Sequence, residues 1–247
     1  MVPIKSPAEL DAMRRVSAVL RKIIDELRPR VIVGMATQEL DAQALEIMRE
    51  NAVRAAFKGY RGFPANICAS VNEEVVHGIP SNRILKEGDL LKVDIGIELD
   101  GFFSDSAFTV GLGKIDGRSK RLIDATKKAL DLGIAQARAG NHLSDVSWAI
   151  QSHVEAQGFS VVREFVGHGI GRQMHEPPEI MNYGLPHKGV VLKEGMCLAI
   201  EPMVNAGTWE VDISENGWTA LTKDRLNSAH FEHTVAITGN GPEVLTR

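Results

Sequence analysis

Residues 91–108 read Leu91-Lys92-Val93-Asp94-Ile95-Gly96-Ile97-Glu98-Leu99-Asp100-Gly101-Phe102-Phe103-Ser104-Asp105-Ser106-Ala107-Phe108. Leu91, Val93, Ile95, Ile97 and Leu99 alternate with polar or small residues, the period-two pattern of a strand. Asp100-Gly101 between apolar neighbours signals a two-residue hairpin turn. That turn sets Leu99 opposite Phe102, so facing residues sum to 201. Asp94 then faces Ala107, Asp105 faces Gly96, and the two aspartates become diagonal neighbours on one face, within about 8 Å. The apolar series points the other way, into a core. A lone hairpin aspartate is ordinarily solvated, but Asp105 lies in a run with little other charge. Two carboxylates this close repel unless a cation lies between them, and a divalent metal ion bridges them naturally.

The approach to this hairpin has an echo. Leu85-Lys86-Glu87-Gly88-Asp89-Leu90-Leu91-Lys92-Val93-Asp94 matches Leu192-Lys193-Glu194-Gly195-Met196-Cys197-Leu198-Ala199-Ile200-Glu201 at five of ten positions, and both segments end on a carboxylate. Two related halves, residues 1–110 and 111–247, would each deliver a carboxylate from a strand to a shared centre on a pseudo-twofold axis. Around these strands the spacing predicts helices. Ser6-Pro7-Ala8-Glu9 is a capping box followed by Met13, Val16, Leu20, Ile23, Ile24 and Leu27 at helical spacing, with Pro29 ending the run. Further helices are expected from Thr37, over about 118–138 and over about 144–157, with Gly140 and Gly158 as stops. Strands are expected near 189–191, 198–204, 218–221 and 231–237. No low-complexity linker interrupts the chain, so residues 1–247 read as one domain mixing helices and strands.

Composition agrees. The chain has 247 residues, 44% of them hydrophobic and 24% charged, ordinary for a globular protein. Its net charge of −4 argues against a dedicated nucleic-acid binder. Cys68 and Cys197 form neither a disulfide scaffold nor a cysteine zinc site. The opening residues lack the apolar core of a signal peptide, and no run of 18 apolar residues occurs; a cytoplasmic protein is expected.

Three more clusters bear chemistry. Gly167-His168-Gly169-Ile170-Gly171-Arg172 precedes His175-Glu176-Pro177-Pro178; the glycines allow close backbone approach or positive φ, and the spacing fits neither a dinucleotide loop nor a zinc HExxH helix. Ala199-Ile200-Glu201-Pro202-Met203 puts a Glu at the end of an apolar strand, expensive to bury unless paired or metal-bound. In Ser228-Ala229-His230-Phe231-Glu232-His233-Thr234, Glu232 shares a face with His230 and Thr234 while His233 turns away. Asp94, Asp105, Glu201, Glu232 and the imidazole of His168 suit two hard or borderline divalent ions: Mn, Fe(II), Co or Zn. Two such ions about 3.5–4 Å apart acidify a shared water and stabilise a developing oxyanion. The chemistry is metal-assisted hydrolysis.

The ordered set Val76-His77-Gly78-Ile79-Pro80, Asp94, Asp105, Gly167-His168-Gly169-Ile170-Gly171, His175-Glu176, Glu201-Pro202-Met203 and Glu232-His233-Thr234 resembles the methionine aminopeptidases over nearly the whole chain. With no zinc-finger extension and no long insert near His175, it is similar to the short bacterial type I form. The resemblance implies an α+β pita-bread fold, a pseudo-twofold antiparallel sheet flanked by helices. It implies that all five residues hold two metal ions, with Asp105 and Glu232 bridging, His168 and Glu201 completing the tighter site and Asp94 the other. Glu201 would also be the general base, and His77 and His175 would contact the substrate amide. Tyr60, Phe63, Cys68 and Trp218 match the methionine pocket, where a thioether gains from aromatic and sulfur neighbours. The chain departs from the family pattern at Phe57, at Gln173-Met174 and at His230, where a glutamine is common. The implied activity is removal of the initiator methionine from nascent chains when the next residue is small, by a monomer making transient contact with the ribosome. A proline-directed peptidase of the same fold is the enzymatic alternative, although such enzymes usually carry a large extra N-terminal domain. A metal-free, ribosome-associated binding module is the non-catalytic one, although such relatives lose ligands.

Overall fold

Ser6 starts the first helix by the predicted mechanism: its backbone N–H donates to the Glu9 carboxylate at 3.0 Å, and its hydroxyl accepts from the Glu9 N–H at 3.4 Å. In this computed structural model, which describes residues 2–247, helix α1 runs Pro7–Leu27 and buries Met13, Val16, Leu20, Ile23, Ile24 and Leu27. Helices α2 (Thr37–Glu50), α3 (Gly117–Gln136) and α4 (Leu143–Ala156) follow close to their expected bounds. Gly158, at φ +76°, ends α4 as expected, whereas Gly140 lies in the turn between α3 and α4, beyond the cap of α3 at Ala137.

Strands β1 (Arg54–Ala55), β2 (Cys68–Val71), β3 (Leu90–Leu99) and β4 (Phe102–Gly111) form one antiparallel sheet. Strand β3 pairs with β4 along one edge and with β1 and β2 along the other. The hairpin register is the expected one, with Asp94 opposite Ala107 and Gly96 opposite Asp105. Asp100 (φ +52°) and Gly101 (φ +78°) are both left-handed, as a type I′ turn requires. Leu91, Val93, Ile95 and Ile97 join α1 and α2 in one apolar core.

The other face of the hairpin is covered too. The second half contributes β5 (Ser160–Val161), β6 (Gly167–Gly169), β7 (Glu176–Ile180), β8 (Cys197–Ile200), β9 (Met203–Asn205), β10 (Val211–Ile213), β11 (Ala220–Thr222), β12 (Ser228–His230), β13 (His233–Thr238) and β14 (Gly241–Val244). These pair antiparallel in the orders β14-β13-β8-β6-β7, β12-β9-β5 and β10-β11. The segment from β12 to β13 lies along β4, held by hydroxyls. Ser106 Oγ donates to the Glu232 carbonyl at 2.7 Å, Thr109 Oγ1 to the His230 carbonyl at 2.6 Å, and Thr234 Oγ1 to the Asp105 carbonyl at 2.8 Å. A second core joins α3 and α4 to β8 and β13.

Four expected strands are corrected. Residues 189–191 make only an isolated bridge, Val191 to His142, because this stretch runs across the short loop that starts α4. The strand expected over 198–204 stops after Ile200 and resumes at Met203, and that over 231–237 begins only at His233, after β12 has ended at His230. The two breaks are side by side: His233 pairs with Ile200 in one sheet, His230 with Met203 in the next, and Pro202 between them has no N–H to give a ladder. The strand expected over 218–221 starts at Ala220, because Asn216 draws the Trp218 and Thr219 N–H groups into a turn at 2.9 Å. The echo segments turn alike, with Gly88 at φ +90° and Gly195 at φ +86°, and each is preceded by a bridge to the start of a helix, Ile84 to Ala36 and Val191 to His142.

The N-terminal segment ties the halves together. Lys5 Nζ forms an ion pair with Glu176 Oε2 at 2.6 Å, both side chains buried, and the Lys5 N–H donates to the Gly195 carbonyl at 2.8 Å. Truncating one partner strands a buried charge, so Lys5→Met should lower unfolding free energy by about 3–5 kcal/mol in urea titration, and Lys5→Met with Glu176→Leu should recover much of it.

Candidate metal centre

The hairpin brings Asp94 and Asp105 to one face, and the paired strand breaks deliver Glu201 and Glu232 against it. Glu201 directly follows β8 and Glu232 directly precedes β13, where the chains leave one sheet for another. Strand β6 adds His168, paired with Ala199 of β8. Of the two effects expected of the glycines, close backbone approach is the one present, since Gly167, Gly169 and Gly171 all keep φ outside the left-handed range. A Cβ on Gly167 would strike the Ala199 carbonyl, and one on Gly169 the Pro177 carbonyl.

His168 Nε2 lies 3.6 Å from Glu201 Oε1 and 4.0 Å from Asp105 Oδ2. Ligand atoms of Asp105, His168 and Glu232 all fall within 4.8 Å of one another, and all three residues are buried. His168 Nδ1 lies 2.9 Å from the Gly169 carbonyl, which only accepts, so Nδ1 carries the proton and the neutral ring presents a bare Nε2 to the carboxylates. Among the described residues, Asp94 Oδ1, Asp105 Oδ1 and Glu232 Oε1 are buried with no hydrogen-bond partner. Lone pairs facing lone pairs in a buried space call for cations, and a set of four carboxylates with one imidazole fits divalent ions of the hard or borderline kind.

Without a cation, the carboxylates resist ionisation. Burial, then the neighbouring acids, hold Asp94 and Glu232 well above the usual carboxylate range. Burial with Asp105 beside it does the same to Glu201, and burial lifts Asp105 to about 7. Burial presses His168 down to about 4.

A cavity of about 540 Å³ opens onto this centre, the size of a small-ligand pocket. Tyr60, Phe63, Cys68, His77, His175 and Trp218 all line it, as do Asp94, Asp105, His168 and Glu201. The edge of Phe63 meets Trp218 at 5.2 Å between centroids. His175 stacks on Tyr60, with Nδ1 2.9 Å from the phenol oxygen, and lies 4.2 Å from the His168 ring. His77 sits at φ +58°, a strained left-handed backbone. Its ring meets the edge of Phe165 at 5.2 Å, a lining residue the sequence reading missed although it stands two positions before Gly167. Phe57 does line the cavity, and it fits because Gly96 lacks a Cβ, which would come 2.6 Å from Phe57 Cε1. Of the other departures, Met174 is buried in the first core and Gln173 is exposed, so neither shapes the pocket. His233 turns away, its Nδ1 2.9 Å from Thr246 Oγ1.

The sign of the pH dependence follows. A carboxylate with a raised folded value keeps its proton longer in the fold than in the unfolded chain, so stability is lost as pH rises toward that value. The buried histidines His168 and His230 act oppositely, but only below their ordinary 6.5. Above that, among the described residues, Lys92, lowered by burial to about 7, opposes the carboxylates. In chelator, the Tm should therefore fall from pH 6.5 to 8, and saturating Mn(II) should shrink that fall in a calorimetric scan.

Metallopeptidase family M24 matches residues 10–239. Methionine aminopeptidase 1 of Bacillus subtilis (strain 168) is 47% identical over 247 residues, covering 100% of both chains. The crystal structure of methionine aminopeptidase from Thermotoga maritima superposes with a TM-score of 0.98 at 45% identity, covering 100% of both chains. The prolidase from Pyrococcus furiosus shares the fold, with a TM-score of 0.81 at 22% identity over 99% of this chain and 65% of its own. The antiparallel sheets flanked by helices are thus the pita-bread architecture that the sequence resemblance implied. With a match spanning nearly its whole length and relatives aligned end to end, the chain belongs to metallopeptidase family M24, among its methionine aminopeptidases.

Proposed function

We propose that the chain is a metal-dependent aminopeptidase that removes N-terminal methionine from nascent proteins when the second residue is small. The carrying observation is the set of buried, unpartnered carboxylate oxygens and one bare imidazole nitrogen at the floor of an aromatic-lined cavity. Asp94, Asp105, His168, Glu201 and Glu232 would hold two divalent ions, with Asp105 and Glu232 shared between them. Such ions polarise a peptide carbonyl and acidify a water. Glu201 would be the proton acceptor for the attacking water. His77 and His175, both kept neutral by burial, face the scissile amide and steady the oxyanion. Phe63, Trp218, Tyr60 and Cys68 give a thioether the aromatic and sulfur contacts it favours. We infer also that residues 1–247 form one catalytic domain of two related halves. It works as a monomer in the cytoplasm, where nascent N-termini emerge, in transient contact with the ribosome.

Stripped protein should regain hydrolysis of a Met-Gly-Met peptide on addition of Mn, Fe(II), Co or Zn, and Asp105→Asn should abolish both metal uptake and turnover. Cleavage confined to Xaa-Pro peptides would keep the centre and replace the pocket assignment. Failure with every metal, in folded protein, would favour the binding-module reading. His175→Ala should cut kcat by about 10²–10³ with little change in metal affinity, measured by steady-state kinetics beside a metal titration.

A further inference from the structure

His230 is the last residue of β12 and is 1% exposed. Its backbone is fixed. The N–H donates to Thr109 Oγ1 at 2.9 Å, the carbonyl accepts from the same hydroxyl at 2.6 Å, and the residue pairs with Met203. Among the described residues its Nε2 is buried without a hydrogen-bond partner. That nitrogen faces Glu201 Oε2 at 3.4 Å. The other oxygen, Glu201 Oε1, lies 3.6 Å from His168 Nε2. The Glu201 carboxylate therefore stands between two imidazoles of different character. His168 presents a lone pair, because its proton is on Nδ1 facing the Gly169 carbonyl. With ions bound and Glu201 ionised, His230 faces a carboxylate oxygen, and only a donor is at ease there.

We propose that His230 is a positioning residue for Glu201, its Nε2–H holding Oε2 so that Oε1 is turned toward His168 and the metal centre. This rests on the reading of Glu201 as a ligand and proton acceptor. The separation of 3.4 Å is longer than a settled N–H···O bond, and contacts of this kind commonly tighten when a site is loaded. Outer partners that orient a ligating carboxylate are worth about 10–100-fold in metal affinity. The carbonyl of Glu201 is held separately, by Asn182 Nδ2 at 3.1 Å, so His230 and Asn182 fix the two ends of the residue.

The test compares full-length wild type with His230→Gln, which keeps an N–H donor, and His230→Leu, which has none. Each is stripped and titrated with Co(II) alone, followed by calorimetry and by the visible absorption of the bound ion. Thermal unfolding without metal serves as the control for packing. His230→Leu should bind Co(II) about 10–100-fold more weakly, with an altered visible band, while its metal-free Tm stays at or above that of wild type. It should also lower kcat on the Met-Gly-Met peptide while leaving KM nearly unchanged, and His230→Gln should recover most of both losses. If His230→Leu does not fold, His230→Asn, whose amide is too short to reach Glu201, replaces it with the same expectation. Wild-type affinity and spectrum in His230→Leu would overturn the proposal. So would His230→Gln as weak as His230→Leu, since an amide donor would then not substitute for the ring. Absence of Co(II) binding by wild type would overturn the reading of the centre itself, a result distinct from either.

Discussion

Like charges buried together repel. Asp94, Asp105, Glu201 and Glu232 converge in one small space, and one oxygen each of Asp94, Asp105 and Glu232 finds no donor among the described residues. The protein could have relieved this with a lysine or arginine in the cluster, but among the carboxylates it sets the neutral imidazole of His168, whose bare nitrogen adds another lone pair. Every nearby feature of the fold serves to bring these groups together. The type I′ turn fixes which hairpin residues are diagonal neighbours, two adjacent strand breaks turn glutamates inward, and hydroxyls of Ser106, Thr109 and Thr234 bind the halves at the level of the acids. A fold that holds this much repulsion needs strong packing elsewhere, and the two apolar cores on either side supply it.

Much of this was legible in the residues, and the reasons are local. Asp100-Gly101 dictates a turn with both φ values positive, and a two-residue turn leaves one register, so the neighbourhood of Asp94 and Asp105 could be worked out by counting. Ser6 and Glu9 close a capping box within one turn of chain. The strand breaks were not legible, because apolar runs such as 198–204 look continuous until the partner strand is known to leave at the same level. The stretch 189–191 failed for the opposite reason, since β-branched residues in a loop against a helix start look like a strand.

The roles of single side chains were less legible than their types. The glycines around His168 were open to two readings, and only the nearby Ala199 and Pro177 carbonyls decide for close approach. Phe165 gave no periodic signal, because its partner His77 is distant in sequence. Phe57, in the bend after β1, and Gly96, on β3, belong together as bulk and matching space that no spacing rule connects. The gain from the structure is therefore mostly pairing. It says which residue each side chain faces, and that decides whether a histidine holds a proton toward a carbonyl, a carboxylate or a phenol.

The distribution of the acids along the chain also sets an order in time. Asp94 and Asp105 are made early, in a hairpin that packs on α1 and α2 within the first half. Glu201 arrives much later, and Glu232, in the segment docked along β4 by Ser106 and Thr109, later still. A chain synthesised only through residue 231 can begin to fold but lacks the residue that closes the cluster. The carboxylate cluster then waits on Glu232, however early its hairpin half has folded.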